Sequence, residues 1–251
     1  MNSLILQQQE EVIALAQFDI KDAVLKKCIL KEGETVITVP DGVTTIGKDA
    51  LCGLQSVIAV TLPESLKVIN DGAFYGCPKL IDIKGTAGLK KVGGFAFNDT
   101  PWYDTISDEF AVIGDGILIK YGGAGGNVTI PEGVKSIVSA FRGKTDVTGI
   151  EFGSSVLAEI GYGSFDGCTG LHTVVIPDSV KKIGIGAFAN CTSLEEVTLG
   201  GGVTEIGQSA FLSCDAIAKV KYTGSESDWE KLSIGEGNER LTEAKREYGA
   251  K

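Results

Sequence analysis

Residues 154–222 form three consecutive units of 23 residues, which read SSVLAEIGYGSFDGCTGLHTVVI (154–176), PDSVKKIGIGAFANCTSLEEVTL (177–199) and GGGVTEIGQSAFLSCDAIAKVKY (200–222). The units superpose without a gap and share the pattern P-x-x-V-x-x-I-G-x-x-A-F-x-x-C-x-x-L-x-x-V-x-L. A fixed period of about 20 to 50 residues is typical of proteins built by stacking repeats. The sequence therefore predicts a stacked-repeat architecture.

Each unit combines two kinds of hydrophobic spacing. In the second unit, Val197 and Leu199 are two residues apart, which places both side chains on the same side of a β-strand. Val180, Ile183 and Ala187 follow at offsets of three and four, a spacing closer to that of an α- or 3₁₀-helix. A single unit cannot bury both sets of side chains, whereas stacked units bury them in one continuous core.

The pattern resembles leucine-rich repeats, and specifically the BspA-like group, whose hallmark I-G-x-x-A-F-x-x-C runs from Ile183 to Cys191 in the second unit. The resemblance covers nearly the whole chain. It implies a leucine-rich-repeat solenoid, a right-handed coil stack of the α/β type. A parallel β-sheet is expected on the concave face, and short turns or 3₁₀ helices are expected on the other face.

The rest of the chain predicts how this single solenoid domain, residues 1–251, is divided. Segments 18–40 and 110–131 both read as a hairpin leading into a new run of repeats. The predicted parts are an N-terminal cap (1–39) made of a helix (3–17) and a hairpin, a first repeat run (40–100), an inserted hairpin (101–130), a second repeat run (131–222) and a C-terminal cap (223–251).

Polar residues near the C terminus predict two short capping helices. Ser225 and Asp228 have the spacing of a capping box. Asn238 is predicted to cap a second helix that ends at Ala244. The last four residues, 248–251, are predicted to form a frayed tail.

Composition restricts the possible partners. Lys and Arg total 23 against 33 Asp and Glu, a formal net charge of −10, which argues against nucleic acid and anionic membranes. No stretch reaches the roughly 18 consecutive apolar residues of a membrane span, so no membrane insertion is expected. The N terminus lacks the basic start of a signal peptide. The chain is therefore expected either to be cytoplasmic or to have an export segment outside this sequence.

Two glycine-rich stretches match cofactor motifs only superficially. Residues 184–189 fit G-x-G-x-x-A, but the repeat pattern accounts for every residue, and a dinucleotide site needs a full helix after the strand. Residues 122–126 lack the Lys-Ser/Thr of a phosphate loop and are predicted to form a hairpin turn. No cofactor is predicted.

The cysteines are predicted to be structural. Cys168, Cys191 and Cys214 share one repeat position and should stack about 4.8 Å apart. This Cα spacing suits a disulfide, but parallel Cβ vectors leave the Cβ atoms too far apart. This column is therefore expected to consist of buried, reduced thiols with S–H groups donated to the backbone, and a disulfide or a reactive thiol is the alternative. Labelling of the chain's cysteines is expected to be slow in the native protein and to reach all six in denaturant.

No catalytic or metal site is predicted. The chain has a single histidine, His172, and no C-x-x-C motif, so zinc is not expected. With a single histidine, most catalytic mechanisms that use histidine as an acid or base, including the Ser-His-Asp triad, are not expected. The protein is therefore predicted not to be an enzyme.

A partner, if there is one, is expected on the outward side of the L-x-x-V-x-L strands in the second repeat run. The resemblance implies a bacterial surface protein that binds host proteins or other copies of itself, and hence a non-catalytic binding or adhesion module. The alternatives are an intracellular scaffold or interaction module, and a sheet face that is only solvated. A monomer is expected, with a protein or glycan rather than a polyanion as partner. The candidate contact residues are Glu151, Thr173, Val175, Glu196 and Thr198.

Overall fold

The computed structural model describes residues 16–153 and 155–249, and these fold as a parallel β-solenoid. The predicted helix at 3–17 lies outside this range except for its last two residues, of which Ala16 has no regular secondary structure and Gln17 begins the first strand. The strands are β1 Gln17–Lys21, β2 Val24–Ile29, β3 Val36–Thr38, β4 Thr45–Ile46, β5 Ala59–Thr61, β6 Val68–Ile69, β7 Asp82–Lys84, β8 Lys91–Val92, β9 Phe110–Ile113, β10 Ile117–Tyr121, β11 Gly126–Ile130, β12 Ser136–Ile137, β13 Val147–Phe152, β14 Glu159–Ile160, β15 Thr173–Ile176, β16 Lys182–Ile183, β17 Glu196–Leu199, β18 Glu205–Ile206, β19 Lys219–Tyr222, β20 Ser233–Ile234 and β21 Lys245–Tyr248. The helices are a 3₁₀ turn at Thr86–Gly88, α1 Pro101–Asp104, α2 Glu226–Trp229 and α3 Glu239–Glu243.

The L-x-x-V-x-L segments form the predicted parallel sheet, here called the front sheet. It consists of three hydrogen-bonded ladders: β3-β5-β7, β11-β13 and β15-β17-β19-β21. The register agrees with the repeat, because Val197 pairs with Val174 on one side and Val220 on the other. All three valines are buried, so the predicted inward positions are confirmed.

The opposite side carries short turns, as predicted, but the residues with helix-like spacing are not helical. The segment around each repeat isoleucine is extended and forms a second set of parallel ladders, here called the rear ladders, β2-β4-β6-β8 and β10-β12-β14-β16-β18-β20. Antiparallel hairpins add β1 to β2 and β9 to β10. Within the described residues, the single 3₁₀ helix is Thr86–Gly88. The offsets of three and four reflect a chain that turns corners, and each extended pair bonds to the coils above and below it.

A third side, here called the turn side, carries the A-F-x-x-C segments. Its backbone groups also bond from coil to coil, as in Phe188 N–H to the Ala210 carbonyl at 2.7 Å. Each regular coil has two left-handed residues there, for example Gly186 (φ 61°) and Asn190 (φ 58°). Left-handed backbone strongly favours Gly, Asn and Asp. The small and polar residues at these two repeat positions are therefore needed for the turns themselves.

The interior contains two hydrophobic clusters that meet at β10. Ile117 and Ile119 belong to the cluster of the first repeat run, whereas Leu118 and Tyr121 belong to that of the second. The rings at the repeat phenylalanine position stack from coil to coil, with centroids 4.7–5.2 Å apart. The stacked residues are Tyr121, Phe141, Phe165, Phe188 and Phe211.

The prediction for the glycine-rich segment 122–126 is wrong. This segment connects β10 to β11, which belong to different ladders, so it forms a corner and not a hairpin turn. The hairpin turn of this region lies at residues 114–116, between β9 and β10. Its Gly114 and Gly116 have φ values of 53° and 78°, which suit a tight reversal.

The C-terminal end agrees with the prediction in part. Ser225 and Asp228 form the capping box of α2, as predicted. Asn238 precedes α3, but its side chain makes no capping bond and instead accepts a hydrogen bond from the backbone N–H of Phe211. In earlier coils the N–H of the repeat phenylalanine donates to a backbone carbonyl of the following coil. For Phe211, the Asn238 side-chain oxygen takes the place of that carbonyl. The predicted frayed tail is wrong for Tyr248, which lies in β21 and pairs with β19.

Candidate functional site

Four of the five predicted contact residues lie together on the front sheet. Thr173 and Val175 are on β15, and Glu196 and Thr198 are on β17. Thr173 is opposite Glu196 and Val175 is opposite Thr198, because the two strands pair in parallel register. Val175 is 61% exposed, and the comparable aliphatic residue on the front sheet is Val36 of β3 at 55%. These four residues form what we call the Val175 patch.

Charged residues beside the Val175 patch are paired across strands. Lys221 Nζ lies 2.6 Å from Glu196 Oε1, and Lys219 Nζ lies 2.8 Å from Glu247 Oε2. Exposed ion pairs of this kind contribute at most about 1 kcal/mol each. Their effect here is to offset the negative charge that the sequence alone assigns to this surface.

Glu151 lies in a different ladder from the other four candidates. It is on β13, which pairs with β11, and its carboxylate accepts hydrogen bonds from Asn127 at 2.7 Å and Thr129 at 3.2 Å. No ladder hydrogen bonds join β13 to β15 in the described part of the chain. The five candidates therefore do not form one uninterrupted sheet surface.

The shared cysteine column is buried and reduced, as predicted. Cys168, Cys191 and Cys214 are free, and each S–H donates to a carbonyl oxygen of the preceding coil at 3.0–3.2 Å. Burial raises the pKa of Cys168 to about 12, so its thiol stays protonated at neutral pH. Cys52 departs from the prediction because it is exposed.

We expect thiol labelling of the native protein to separate these groups. Cys52 should react rapidly, whereas the five buried cysteines should react slowly because reaction requires an accessible thiolate. Mass spectrometry after brief iodoacetamide treatment should find one fast adduct at neutral pH, and all six residues should be labelled in denaturant. Rapid labelling of Cys191 in the native protein would contradict this arrangement.

The other candidate chemistries have no supporting geometry. In the described range, no group of three or more His, Cys, Asp and Glu side chains could hold a metal ion. His172 is exposed, with Nδ1 3.9 Å from Glu195 Oε1. Gly184 follows a two-residue strand and leads into a turn, so residues 184–189 do not form a dinucleotide loop. None of the helices between residues 16 and 249 has the length and apolar composition to cross a bilayer.

The repeats decide the family. A family model described as "BspA type Leucine rich repeat region" matches in six copies over residues 19–117 and 124–233. The chain belongs to the BspA-type leucine-rich repeat family. The residues that define BspA-type repeats here, such as Ile183, Phe188 and Cys191, are fully buried. The family motif therefore builds the scaffold, and any binding site has to lie in the variable positions.

Three solved leucine-rich repeat structures resemble this BspA-type chain. A leucine rich cell surface protein from Faecalibacterium prausnitzii is 28% identical, with a TM-score of 0.44, over 79% of this chain and 62% of that one. The T. pallidum leucine rich repeat protein is 25% identical, with a TM-score of 0.35, over 83% of each chain. A protein from Bacteroides ovatus is 24% identical, with a TM-score of 0.35, over 85% of this chain and 66% of that one. Comparison with curated protein sequences gives no match.

Proposed function

We propose that this BspA-type repeat protein is a non-catalytic binding module of a bacterial cell surface, and that the Val175 patch contacts a protein partner. The observation that carries the proposal is the 61% exposure of Val175, which lies between the outward threonines Thr173 and Thr198. Solenoid sheets present side chains at fixed spacing over an extended surface. Binding there requires little further ordering of the backbone.

The chemistry of the Val175 patch favours a protein surface over a polyanion or a glycan. Its centre is an aliphatic side chain flanked by Thr173 and Thr198, and an apolar centre with a polar rim is the usual anatomy of a protein interface. The nearby ion pair of Glu196 with Lys221 leaves little net charge to attract a charged ligand. The front-sheet residues of β15 and β17 include no aromatic ring on which a sugar could stack.

The test is a double substitution, Thr173→Arg with Thr198→Arg. Two long charged side chains beside Val175 should block a docked protein, while outward positions tolerate them with little effect on the melting temperature. A partner captured from host extracellular protein should lose at least about tenfold in affinity by surface plasmon resonance.

The matched control is Thr38→Arg with Thr61→Arg, which alters two outward threonines that pair in the first repeat run. This variant should bind like the unaltered protein. Equal affinity of both double variants would mean that the partner binds elsewhere, and a large drop in melting temperature of the first variant would mean that these positions are structural.

A further inference from the structure

The turn side has a recess where the two repeat runs meet. In the regular coil of β14, four residues separate Ile160 from Phe165, whereas only three separate Ile137 from Phe141. In the hairpin coil only two residues separate Leu118 from Tyr121, which occupies the phenylalanine position. The segment between the rear ladder and the phenylalanine position is therefore shorter in each coil towards the junction of the two repeat runs, and it should protrude less. The coils on either side project past this shortened corner.

Two aromatic side chains meet across the recess. Phe95 belongs to the coil before the insertion and Tyr162 to the β14 coil, yet their ring centroids are 4.9 Å apart in an edge-to-face arrangement. Tyr162 lies directly on Gly94, because a Cβ atom built at Gly94 would be 2.5 Å from Tyr162 Cγ. Beside this pair is a pocket of about 280 Å³. It is lined by Lys48, Asp49, Asp71, Gly72, Tyr75, Gly94, Phe95 and Tyr162.

Phe95 has a strained backbone. Its φ is 55°, and the equivalent residues of the neighbouring coils, Gly72 and Ser139, are also left-handed. Where other coils use Gly, Asp or Ser, a bulky aromatic residue stands in a conformation that it adopts rarely. Such outliers concentrate at binding sites, where the surrounding structure holds them in place. The surrounding structure thus holds a phenyl ring at this position despite the unfavourable backbone.

We propose that this recess binds one neutral pyranose ring of a glycan. The rings of Tyr75, Phe95 and Tyr162 offer apolar surface for the C–H face of a sugar, and the carboxylates of Asp49 and Asp71 at the rim accept hydrogen bonds from its hydroxyls. Pockets for small ligands span roughly 300–1,000 Å³, so a pocket of 280 Å³ suits a single ring.

The carboxylates have unused hydrogen-bonding capacity. Asp71 Oδ1 accepts the backbone N–H of Gly94 at 2.8 Å, and no described donor bonds to Asp71 Oδ2 or to the Asp49 carboxylate. Both aspartates are exposed. Acceptors at the edge of an aromatic pocket are the groups that orient a polyhydroxylated ligand.

The charges around the recess favour a neutral ligand. A cation would meet Lys48 at the rim and Arg142, whose guanidinium lies over the Phe95 ring at 4.9 Å from its centroid. An anion would meet Asp49 and Asp71. A neutral sugar ring avoids like-charge repulsion from either pair, and it can contact both the aromatic rings and the hydrogen-bonding carboxylates.

Saturation-transfer NMR with the methyl glycosides of glucose, galactose, mannose and N-acetylglucosamine tests the proposal. We expect transfer to the ring protons of at least one glycoside, and a loss of about tenfold in affinity for Tyr75→Ala, since the lost ring contact is of that size. Leu212→Ala is the matched control, because Leu212 has the same repeat position in a distant coil and is 46% exposed against 43% for Tyr75. It should bind unchanged.

Three outcomes would overturn the proposal: no transfer to any of the four glycosides, equal transfer with Tyr75→Ala, or stronger Tyr75-dependent transfer to tetramethylammonium than to the sugars. The recess is separate from the Val175 patch. Glycoside binding should therefore persist in the Thr173→Arg and Thr198→Arg double variant, whatever that variant does to protein binding.

Discussion

Val197→Asp is expected to unfold or strongly destabilise the second repeat run. Val197 is fully buried between Val174 and Val220 of the adjacent strands. A carboxylate at this position would be desolvated with no cation beside it, which costs at least about 3 kcal/mol. Since domains are stable by only about 5–15 kcal/mol, much of that margin is lost. Circular dichroism during thermal unfolding should record a large fall in melting temperature.

Thr198→Asp provides the control one residue along the same strand. Thr198 points outward, so the new carboxylate stays in water and the free energy of unfolding should change by less than about 1 kcal/mol. Similar losses for the two variants would contradict the strand register. A small loss for Val197→Asp would mean that the interior admits water.

Phe188→Ala is expected to have the second large effect. The Phe188 ring is fully buried between those of Phe165 and Phe211, with centroid distances of 5.0 and 5.2 Å. Truncation removes contacts on both faces and leaves a cavity, which for phenylalanine costs about 3–5 kcal/mol. Urea unfolding followed by circular dichroism measures this loss.

Leu212→Ala is a suitable control here too, because this leucine follows the stacked Phe211 but is exposed. Its truncation should cost less than about 1 kcal/mol. A comparably small cost for Phe188→Ala would indicate that the neighbouring rings collapse into the space. The stacked rings would then repack easily, and their stacking would contribute little to the free energy of unfolding.

The front sheet could be predicted from the sequence because its signal is local. Val197 and Leu199 alternate with polar neighbours, and a 23-residue period fixes which strands stack. The same period placed Cys191 and its equivalents in one buried column. Both expectations depend only on spacing within a repeat, and the structure agrees with both.

The rear ladders could not be predicted in the same way. Offsets of three and four between Val180, Ile183 and Ala187 suit a helix, but they also suit a chain that turns a corner. Backbone hydrogen bonds to coils 23 residues away favour the extended corner over the helix, as in the pairing of Ile183 with Ile160 and Ile206. Cys52 was assigned wrongly because it lies outside the repeat position of the buried column.

The aromatic recess gave no sequence signal. Tyr75, Phe95 and Tyr162 occupy three different repeat positions, and each looks like an ordinary variable residue. They come together because the corners of two intervening coils are shortened, an effect that depends on the whole stack. The adjacency of the four Val175-patch residues follows from the repeat period, whereas the break between β13 and β15, which separates Glu151 from them, does not.

Each regular coil is hydrogen-bonded to its neighbours on three sides, and this should make it resistant to proteases. A protease must draw several residues into an extended conformation, which requires the substrate to open locally. In the coil 177–199, opening would break the pairings of β16 and β17 and the turn-side bond from Phe188 at once. Nicking should therefore concentrate in the connection after α1, at residues 105–109, and spare the coils. Stacking therefore protects the coils against proteolysis in addition to stabilising the fold.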